Sequence, residues 1–456
     1  MLRKSMKQEI DMVNGPILRN MVRFSVPLML STVLQLLYNA ADMVVAGRYA
    51  GSQALAAVGA TGAISSLLVT LFMGLSVGTS VSVAHNYGAE RHRDVSESVH
   101  TSVLLALTGG IIIGIAGILL ARPLLRMMDT PSDILDQSVL YMSIYFVGMP
   151  MNLLYNFSAA VLNAIGDTRR PMFFLAFSGI INVLLNLLFV IAFHMGVAGV
   201  ALATILSQTV SMVLVIQCLM RSDGSIQLNL RKLRFHKDKV IQILRIGLPA
   251  GLQNSMFSIA NTLIQSAFNG FGSTILAAKT AASSIECFVS MPLCAFYSAA
   301  MSFASQCFGA QKLHRIKPIA RAGAGMITLL GIVIGLAVAA CGRPLMGIYT
   351  TDPEVMKWGS IQLWMLATTC FIADSGEVFV SCMRATGNSV QPMILSLLCT
   401  CVFRVIWIYT IFRIFPTIYV LYLVYPVSWT LATVVHLCCY RRHMKKLLAT
   451  PLSNPV

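Results

Sequence analysis

The sequence predicts an all-α membrane protein of about twelve transmembrane helices, arranged as two parallel six-helix repeats. Three observations predict this: the composition, the placement of basic residues in alternate loops, and a residue pattern that returns about 221 positions later. Of 456 residues, 57% are hydrophobic and only 11% are charged, which is not typical of a water-soluble globular chain. The soluble classes are therefore excluded.

Twelve apolar stretches are each long enough to cross a bilayer, since a hydrocarbon core about 30 Å thick takes about 20 helical residues. The mean hydropathy of the whole chain, +0.76, agrees with this count. Short polar segments separate the stretches. The predicted spans 1 to 12 are 21–46, 53–79, 95–121, 138–161, 172–194, 197–219, 243–269, 277–304, 320–342, 358–382, 393–414 and 418–440.

The basic residues indicate the topology. The formal net charge is +16, but these residues form no single aromatic-studded patch, so we expect no nucleic-acid partner. One set of loops holds Arg91, Arg93, Arg169, Arg170, Arg221, Arg231, Lys232, Arg234, Lys237, Lys239, Lys312, Arg315, Lys317 and the Arg441–Lys446 tail. The opposite set carries Asp129, Asp133, Asp136, Asp352 and Glu354. The positive-inside rule therefore places both termini in the cytoplasm, and we expect no cleaved signal peptide at the polar N-terminus.

An internal repeat predicts the domain organisation. At an offset of 221, Gly51 returns as Gly272, Leu55 as Leu276, Arg122-Pro123-Leu124 as Arg343-Pro344-Leu345, Tyr87-Gly88-Ala89 as Phe308-Gly309-Ala310, and Gly166 and Pro171 as Gly387 and Pro392. Near the start the offset is 222, which matches Pro27 with Pro249 and Asn39 with Asn261. A shift across six helices gives parallel repeats. The predicted divisions are a cytoplasmic lead-in (1–16), an N-terminal lobe (17–222), a cytoplasmic linker (223–242), a C-terminal lobe (243–443) and a cytoplasmic tail (444–456).

Several segments together resemble the multidrug and toxic compound extrusion (MATE) transporters of the MOP superfamily. They are Tyr38–Arg48 in span 1, Ala57–Gly59, Asn163–Pro171 and Arg384–Pro392. The residues of span 10 and the loops are most similar to those of the bacterial branch that includes the DNA-damage-inducible exporters. The resemblance implies a secondary active exporter of organic, often cationic, compounds in exchange for protons or sodium ions. We therefore expect a multi-pass protein of the bacterial inner membrane, a monomer, with small organic cations and the lipid bilayer as its partners.

Acidic and basic side chains at membrane depth are costly, so each is a candidate for function. Asp42 lies 15 residues beyond Pro27, roughly 22 Å along span 1, and Asn186 lies equally far beyond Pro171. Thr204 reaches a similar level from the opposite side. Asn182 lies one turn from Asn186, on the same face of its helix. We expect Asp42, Asn182, Asn186 and Thr204 to meet.

A carboxylate among amide and hydroxyl oxygens can hold a proton or ligate a small hard cation. The resemblance supports an ion-coupling role, but this chain has Asn186 where some family members have a second carboxylate. One carboxylate weakens the case for sodium, so we expect protons. Interhelical hydrogen bonding is the alternative role for Asn182, Asn186 and Thr204. The 11 cysteines have no metal-site spacing, and we expect no metal and no cofactor beyond the coupling H+ or Na+.

A second group lies in the second repeat. Glu286 is in the middle of span 8, Asp374 and Glu377 are one turn apart in span 10, and Arg404 lies roughly 18 Å beyond Pro392 in span 11. An ion pair that joins three helices would explain these residues structurally. The alternative is that the acids outnumber Arg404 and leave a negative wall for a cationic substrate. We expect the latter, with Asp374 as the main contact.

Three other functions remain as alternatives. A flippase for lipids or lipid-linked oligosaccharides requires a strongly basic central cavity, whereas the predicted intramembrane charges are mainly acidic. An integral membrane enzyme would need a catalytic pattern, and HExxH and Walker motifs are absent from the sequence. A channel fits a twofold parallel repeat less well than alternating access does.

Overall fold

The chain folds into helices joined by short turns. The structure, a computed structural model, describes residues 10–128 and 130–449, without the side chains of 52, 55 and 63–68. The α-helices are α1 Ile17–Val45, α2 Ser52–Gly88, α3 His92–Met127, α4 Ser132–Val147, α5 Met149–Ala164, α6 Arg169–Asn186, α7 Gly196–Arg221, α8 Lys237–Asn269, α9 Ser273–Gly309, α10 Ile316–Ala340, α11 Gly342–Gly347, α12 Pro353–Ala367, α13 Cys370–Ala385, α14 Val390–Ser396, α15 Phe403–Tyr409, α16 Ile411–Ile414 and α17 Ile418–Ala449. Asp129, the Leu55 side chain, and the ends of the predicted lead-in and tail lie outside the described residues.

Each predicted span coincides with a helix or with consecutive helices. In the described part of the chain, nine helical segments are long and apolar enough to cross a membrane. Span 4 corresponds to α4 and α5, a pair bent by 45° that could serve as one further crossing. Spans 2 and 7 lie within α2 and α8, which are helical but are not among the nine. The helical membrane fold is as predicted.

The helices form two compact units. One consists mainly of Leu30–Gly251, and the other combines Asp11–Met29 with the chain from Leu252 onward. This division runs through α1 and α8, whereas the sequence places it in the linker. In the first unit α3 packs on α5 and α6 on α7; in the second, α13 packs on both α9 and α17.

The repeat is visible in the backbone. Gly51 and Gly272 have φ of 96° and 90°, and Gly166 and Gly387 have φ of 97° and 85°. These are left-handed conformations that glycine adopts without the steric cost of a Cβ. Glu90 and Gln311, also 221 residues apart, have φ of 55° and 59°. The same turns therefore recur at the same places in both repeats, although the residue at the turn differs.

The linker is hydrogen-bonded to the N-terminal part of α3. The backbone N–H of Asn229 donates to His100 Nε2 at 3.1 Å, and that of His236 donates to Thr101 Oγ1 at 3.3 Å. Lys239 forms a 2.8 Å ion pair with Asp94. The connection between the repeats is therefore a packed part of the first unit.

Candidate ion-coupling and substrate sites

The first unit has a buried carboxylate at the junction of three helices. Asp42, on α1, is only 6% exposed. Its Oδ1 accepts a 2.6 Å hydrogen bond from Asn186 Nδ2 on α6, and its Oδ2 accepts a 2.9 Å bond from Thr204 Oγ1 on α7. Asn186 Nδ2 also lies 3.2 Å from Asn182 Oδ1. The structure thus brings together all four residues that the sequence predicts.

The local backbone positions these side chains. Asn182 and Asn186 are four residues apart on α6, so their side chains lie on one face of the helix. Directly after Asn186 the helix changes to π geometry over Leu187–Ala192, and α1 does the same over Ala46–Ala50, just beyond Asp42. Single π turns occur often at functional sites. Both changes lie within one turn of the carboxylate site.

The site has neutral donors only. None of the six ion pairs among the described residues includes Asp42. Asn186 Oδ1 and Asn182 Nδ2 are buried and have no hydrogen-bond partner in the described part of the chain. The Thr204 hydroxyl also lies 3.0 Å from the Val200 carbonyl, so its single proton has two alternative acceptors. The site can therefore change its hydrogen bonds when a proton or a cation binds Asp42.

Tyr38, which is not among the predicted site residues, extends this network. Tyr38 lies one turn before Asp42, and its hydroxyl is hydrogen-bonded to Ser178 on α6. Ser178 in turn donates to the Ser207 carbonyl at 2.8 Å. The spacing of four residues between Tyr38 and Asp42 was the available signal, since it places both on one face of α1.

The second unit contains a cavity of about 360 Å³. Its size is within the range of small-molecule sites, and its aromatic wall is typical of them. It is lined by Phe257, Asn261, Gln265, Phe268, Lys279, Ser283, Glu286, Cys287, Ser290, Gln362, Leu366, Cys370, Arg404, Tyr422, Tyr425 and Trp429. Of the four predicted substrate residues, only Glu286 and Arg404 line this cavity.

Two cations in this wall are held by neutral groups. Arg404 donates to Asn261 Oδ1 at 2.9 Å and to Ser428 Oγ at 3.1 Å, and its guanidinium carbon lies 4.7 Å from the ring centroid of Tyr425. Lys279 Nζ donates to Gln265 Oε1 at 2.5 Å and lies 4.2 Å from the ring centroid of Phe268.

The acids of the second unit are dispersed. Glu286 accepts from Gln362 Nε2 at 3.0 Å. Asp374 accepts from Ser290 Oγ at 3.2 Å, and Ser290 lines the cavity. Glu377 faces elsewhere: its Oε1 accepts from Gln253 Nε2 at 3.0 Å, and its Oε2 lies 4.0 Å from Arg384 Nη1.

These contacts correct the predicted charge balance. Among the described residues, Arg404 forms no ion pair with Glu286 or Asp374, so the ion pair considered from the sequence is not formed. Arg404 is also not the only cation near the acids, because Lys279 is in the same wall and Arg384 faces Glu377. The expectation that acids outnumber cations here was wrong. Lys279 could have been noticed because it lies inside predicted span 8.

Comparison with known proteins agrees with this architecture. The MatE family model matches residues 27–188 and 249–410, so both matches begin and end 222 residues apart. The chain is 26% identical over 386 residues to the probable multidrug resistance protein YoeA of Bacillus subtilis, which covers 83% of each chain. It is 22% identical to the multidrug export protein MepA of Staphylococcus aureus over 84% of this chain and 85% of that protein.

Solved structures share the fold. A MOP superfamily transporter from Pyrococcus furiosus, described by the reverse polarity of its binding pocket, matches with a TM-score of 0.91 and 22% identity over 97% of this chain and 99% of that one. A MATE protein in a bent conformation matches with a TM-score of 0.90 and 23% identity, also over 97% and 99%. The family matches cover both repeats, and the chain therefore belongs to the MATE family, whose members are transporters and not enzymes.

Proposed function

We propose that this protein is a secondary antiporter of the plasma membrane that exports small organic molecules by alternating access, driven by protons. Export is supported by the relatives YoeA and MepA, which are described as multidrug resistance and multidrug export proteins. The observation that carries the proton-driven mechanism is the buried Asp42 carboxylate, which is bonded by two neutral donors from two other helices. On the basis of the loop charges, we further propose that both termini lie in the cytoplasm. The monomeric state is proposed from the family resemblance alone.

Protons suit this site better than sodium ions. Asp42 is the only carboxylate among the four residues, and the two donors that contact it direct N–H and O–H groups at its oxygens. A sodium ion needs several oxygen ligands around it, and the amide and hydroxyl would have to turn before they could supply them. A proton needs one acceptor. Binding a proton requires only that one of the donors changes its partner, and the Val200 carbonyl already offers Thr204 such an alternative.

Everted membrane vesicles can test this proposal. The probes are 2-naphthylmethylammonium and 2-naphthoate, two aromatic ions of similar shape and opposite charge. Vesicles with an acidic lumen should accumulate at least one probe, and the uptake should stop when a protonophore collapses the pH gradient. Replacement of sodium by choline should change nothing. Uptake by vesicles that contain the Asp42→Asn variant measures the passive permeation of each probe, and this value is subtracted.

The family resemblance also predicts organic cations as substrates. The intramembrane acids of the second repeat had suggested a negative wall that would attract such cations. The cavity in the second unit does not provide this wall, because Lys279 and Arg404 line it beside Glu286. The two probes are therefore compared directly. The cavity is not favourable for a lipid-linked oligosaccharide either, because about 360 Å³ holds only a small molecule.

A further inference from the structure

The wall of the cavity in the second unit holds two cations, and no carboxylate of the described residues lies within ion-pair distance of either. Lys279 is 7% exposed and Arg404 is 2% exposed. Neither takes part in an ion pair among the described residues. Their partners are the side-chain oxygens of Gln265, Asn261 and Ser428. A buried charge without a counter-charge is strongly disfavoured, so the cavity favours a ligand that supplies a negative charge.

The one acid in the wall cannot neutralise both cations. Glu286 is seven residues from Lys279 on α9, roughly 10 Å along the helix axis. Its carboxylate accepts a hydrogen bond from Gln362. The lining therefore has two cations and one acid. Tyr422 also lines the cavity, and its buried hydroxyl has no hydrogen-bond partner among the described residues, so it is a further donor near this wall.

The repeat gives an independent view of Arg404. Asn261 and Ser428, which bind Arg404, are the repeat counterparts of Asn39 and Ser207 at offsets of 222 and 221. Asn261 lies on α8 and Ser428 on α17, which correspond to α1 and α7 of the first repeat. Arg404 lies on α15, in the span that follows Pro392 and corresponds to α6. In each unit, three helices at equivalent places in the repeat therefore hold one buried charge among neutral partners. The charge is negative at Asp42 and positive at Arg404.

We propose that the cavity of the second unit binds small aromatic carboxylates, with Lys279 and Arg404 on the carboxylate and the aromatic side chains around the ring. This deepens the proposed function by naming the substrate class, and it rests on that function. The guanidinium presents several donors in a plane that matches a carboxylate, and the lysine adds a second charge. Glu286 can accept from an ammonium group when the ligand is a zwitterion.

Binding to the purified protein tests the proposal without any ion gradient. The protein is placed in phosphatidylcholine nanodiscs, and 2-naphthoate and 2-naphthylmethylammonium are titrated by calorimetry. We expect 2-naphthoate to bind the more tightly. Lys279→Gln should weaken its binding about tenfold, as expected for the loss of one charge-assisted hydrogen bond, while Lys279→Arg should keep most of it. Lys357→Gln is the matched control, because Lys357 is an exposed lysine of the same unit outside the cavity.

Three results would overturn the proposal. The first is tighter binding of 2-naphthylmethylammonium than of 2-naphthoate. The second is equal binding of 2-naphthoate by the wild type, Lys279→Gln and Lys279→Arg, provided that all three elute as single folded species. The third is loss of 2-naphthoate binding when phosphatidylglycerol is added to the nanodiscs, because the cations would then serve an anionic lipid headgroup.

The outcome is separable from that of the proposed function. If 2-naphthoate binds through Lys279 but no probe is accumulated by vesicles, the site assignment stands and the antiport mechanism fails. If vesicles accumulate only the cation under a pH gradient, antiport stands and the carboxylate site fails.

Discussion

Asn186 donates a 2.6 Å hydrogen bond from its side-chain amide to Oδ1 of Asp42, across the interface of α6 and α1. This contact joins the carboxylate of the site to Asn186, at whose position some family members have a second carboxylate. In the proposed mechanism, the chemistry of this contact decides between a proton and a sodium ion.

Replacing Asp42 by asparagine should abolish export and leave membrane insertion intact, because the variant keeps the size of the side chain and loses the carboxylate that we propose binds the coupling ion. Drug resistance of expressing cells and vesicle uptake are the measurements. Asp136→Asn is the control, since Asp136 is an exposed acid of the same unit that pairs with Arg122. Resistance at the wild-type level, with equal expression, would exclude a coupling role for Asp42.

Replacing Asn186 by aspartate should make the protein responsive to sodium. Two carboxylates offer the charge and the oxygen ligands that a hard cation prefers. The melting temperature of the variant in detergent should rise in sodium chloride relative to choline chloride, and that of the wild type should not. A sodium-dependent rise in the wild type, lost in Asp42→Asn, would instead assign sodium as the coupling ion.

Replacing Arg384 by methionine should destabilise the second unit by about 3 kcal/mol, because it leaves the Glu377 carboxylate without its cation and Gln253 without its donor. The measurement is thermal unfolding in detergent. Combining it with Glu377→Gln should restore part of the loss, since the unpaired charge is then gone. Additive losses in the double variant would mean that the two residues are not coupled.

Replacing Gly335 by valine should also be destabilising, by about 1–3 kcal/mol, as is usual for an overpacked contact. A Cβ at Gly335 would lie 2.2 Å from the carbonyl oxygen of Ala367, so α10 and α12 would have to separate. Gly325 on the same helix has open space at this position, and Gly325→Val is the matched control. Equal melting temperatures for both variants would show that the close approach of these helices is not required.

The sequence was sufficient for the fold and for the Asp42 group. Long apolar helices, the repeat and the rise per residue fix which residues reach the same depth, and Asp42, Asn186 and Thr204 do meet. Depth alone could not resolve the second group, because it leaves the rotation of each helix unknown. Asp374 and Glu377 are one turn apart, yet one bonds to α9 and the other to α8.

The direction of a long side chain explains why Lys279 and Arg384 were not predicted to lie near the acids. Lys279 lies near the end of its helix, where long basic side chains usually extend to the membrane surface. In the structure it instead bonds inward to Gln265. Arg384 lies three residues before the Gly387 turn, at the end of α13, and its guanidinium reaches Gln253 on α8.

The opposite charges at Asp42 and Arg404 bear on how the chain evolved. The turns at Gly51 and Gly272, and at Gly166 and Gly387, have kept the same backbone conformation in both repeats, as expected for copies of one ancestral gene segment. An ancestor with a single segment, working as a pair of identical subunits, would carry the same charge twice. The difference in sign could arise only after duplication had given each copy its own sequence to change. Two copies joined in one chain are free of that constraint, and each junction can carry a buried charge of its own sign.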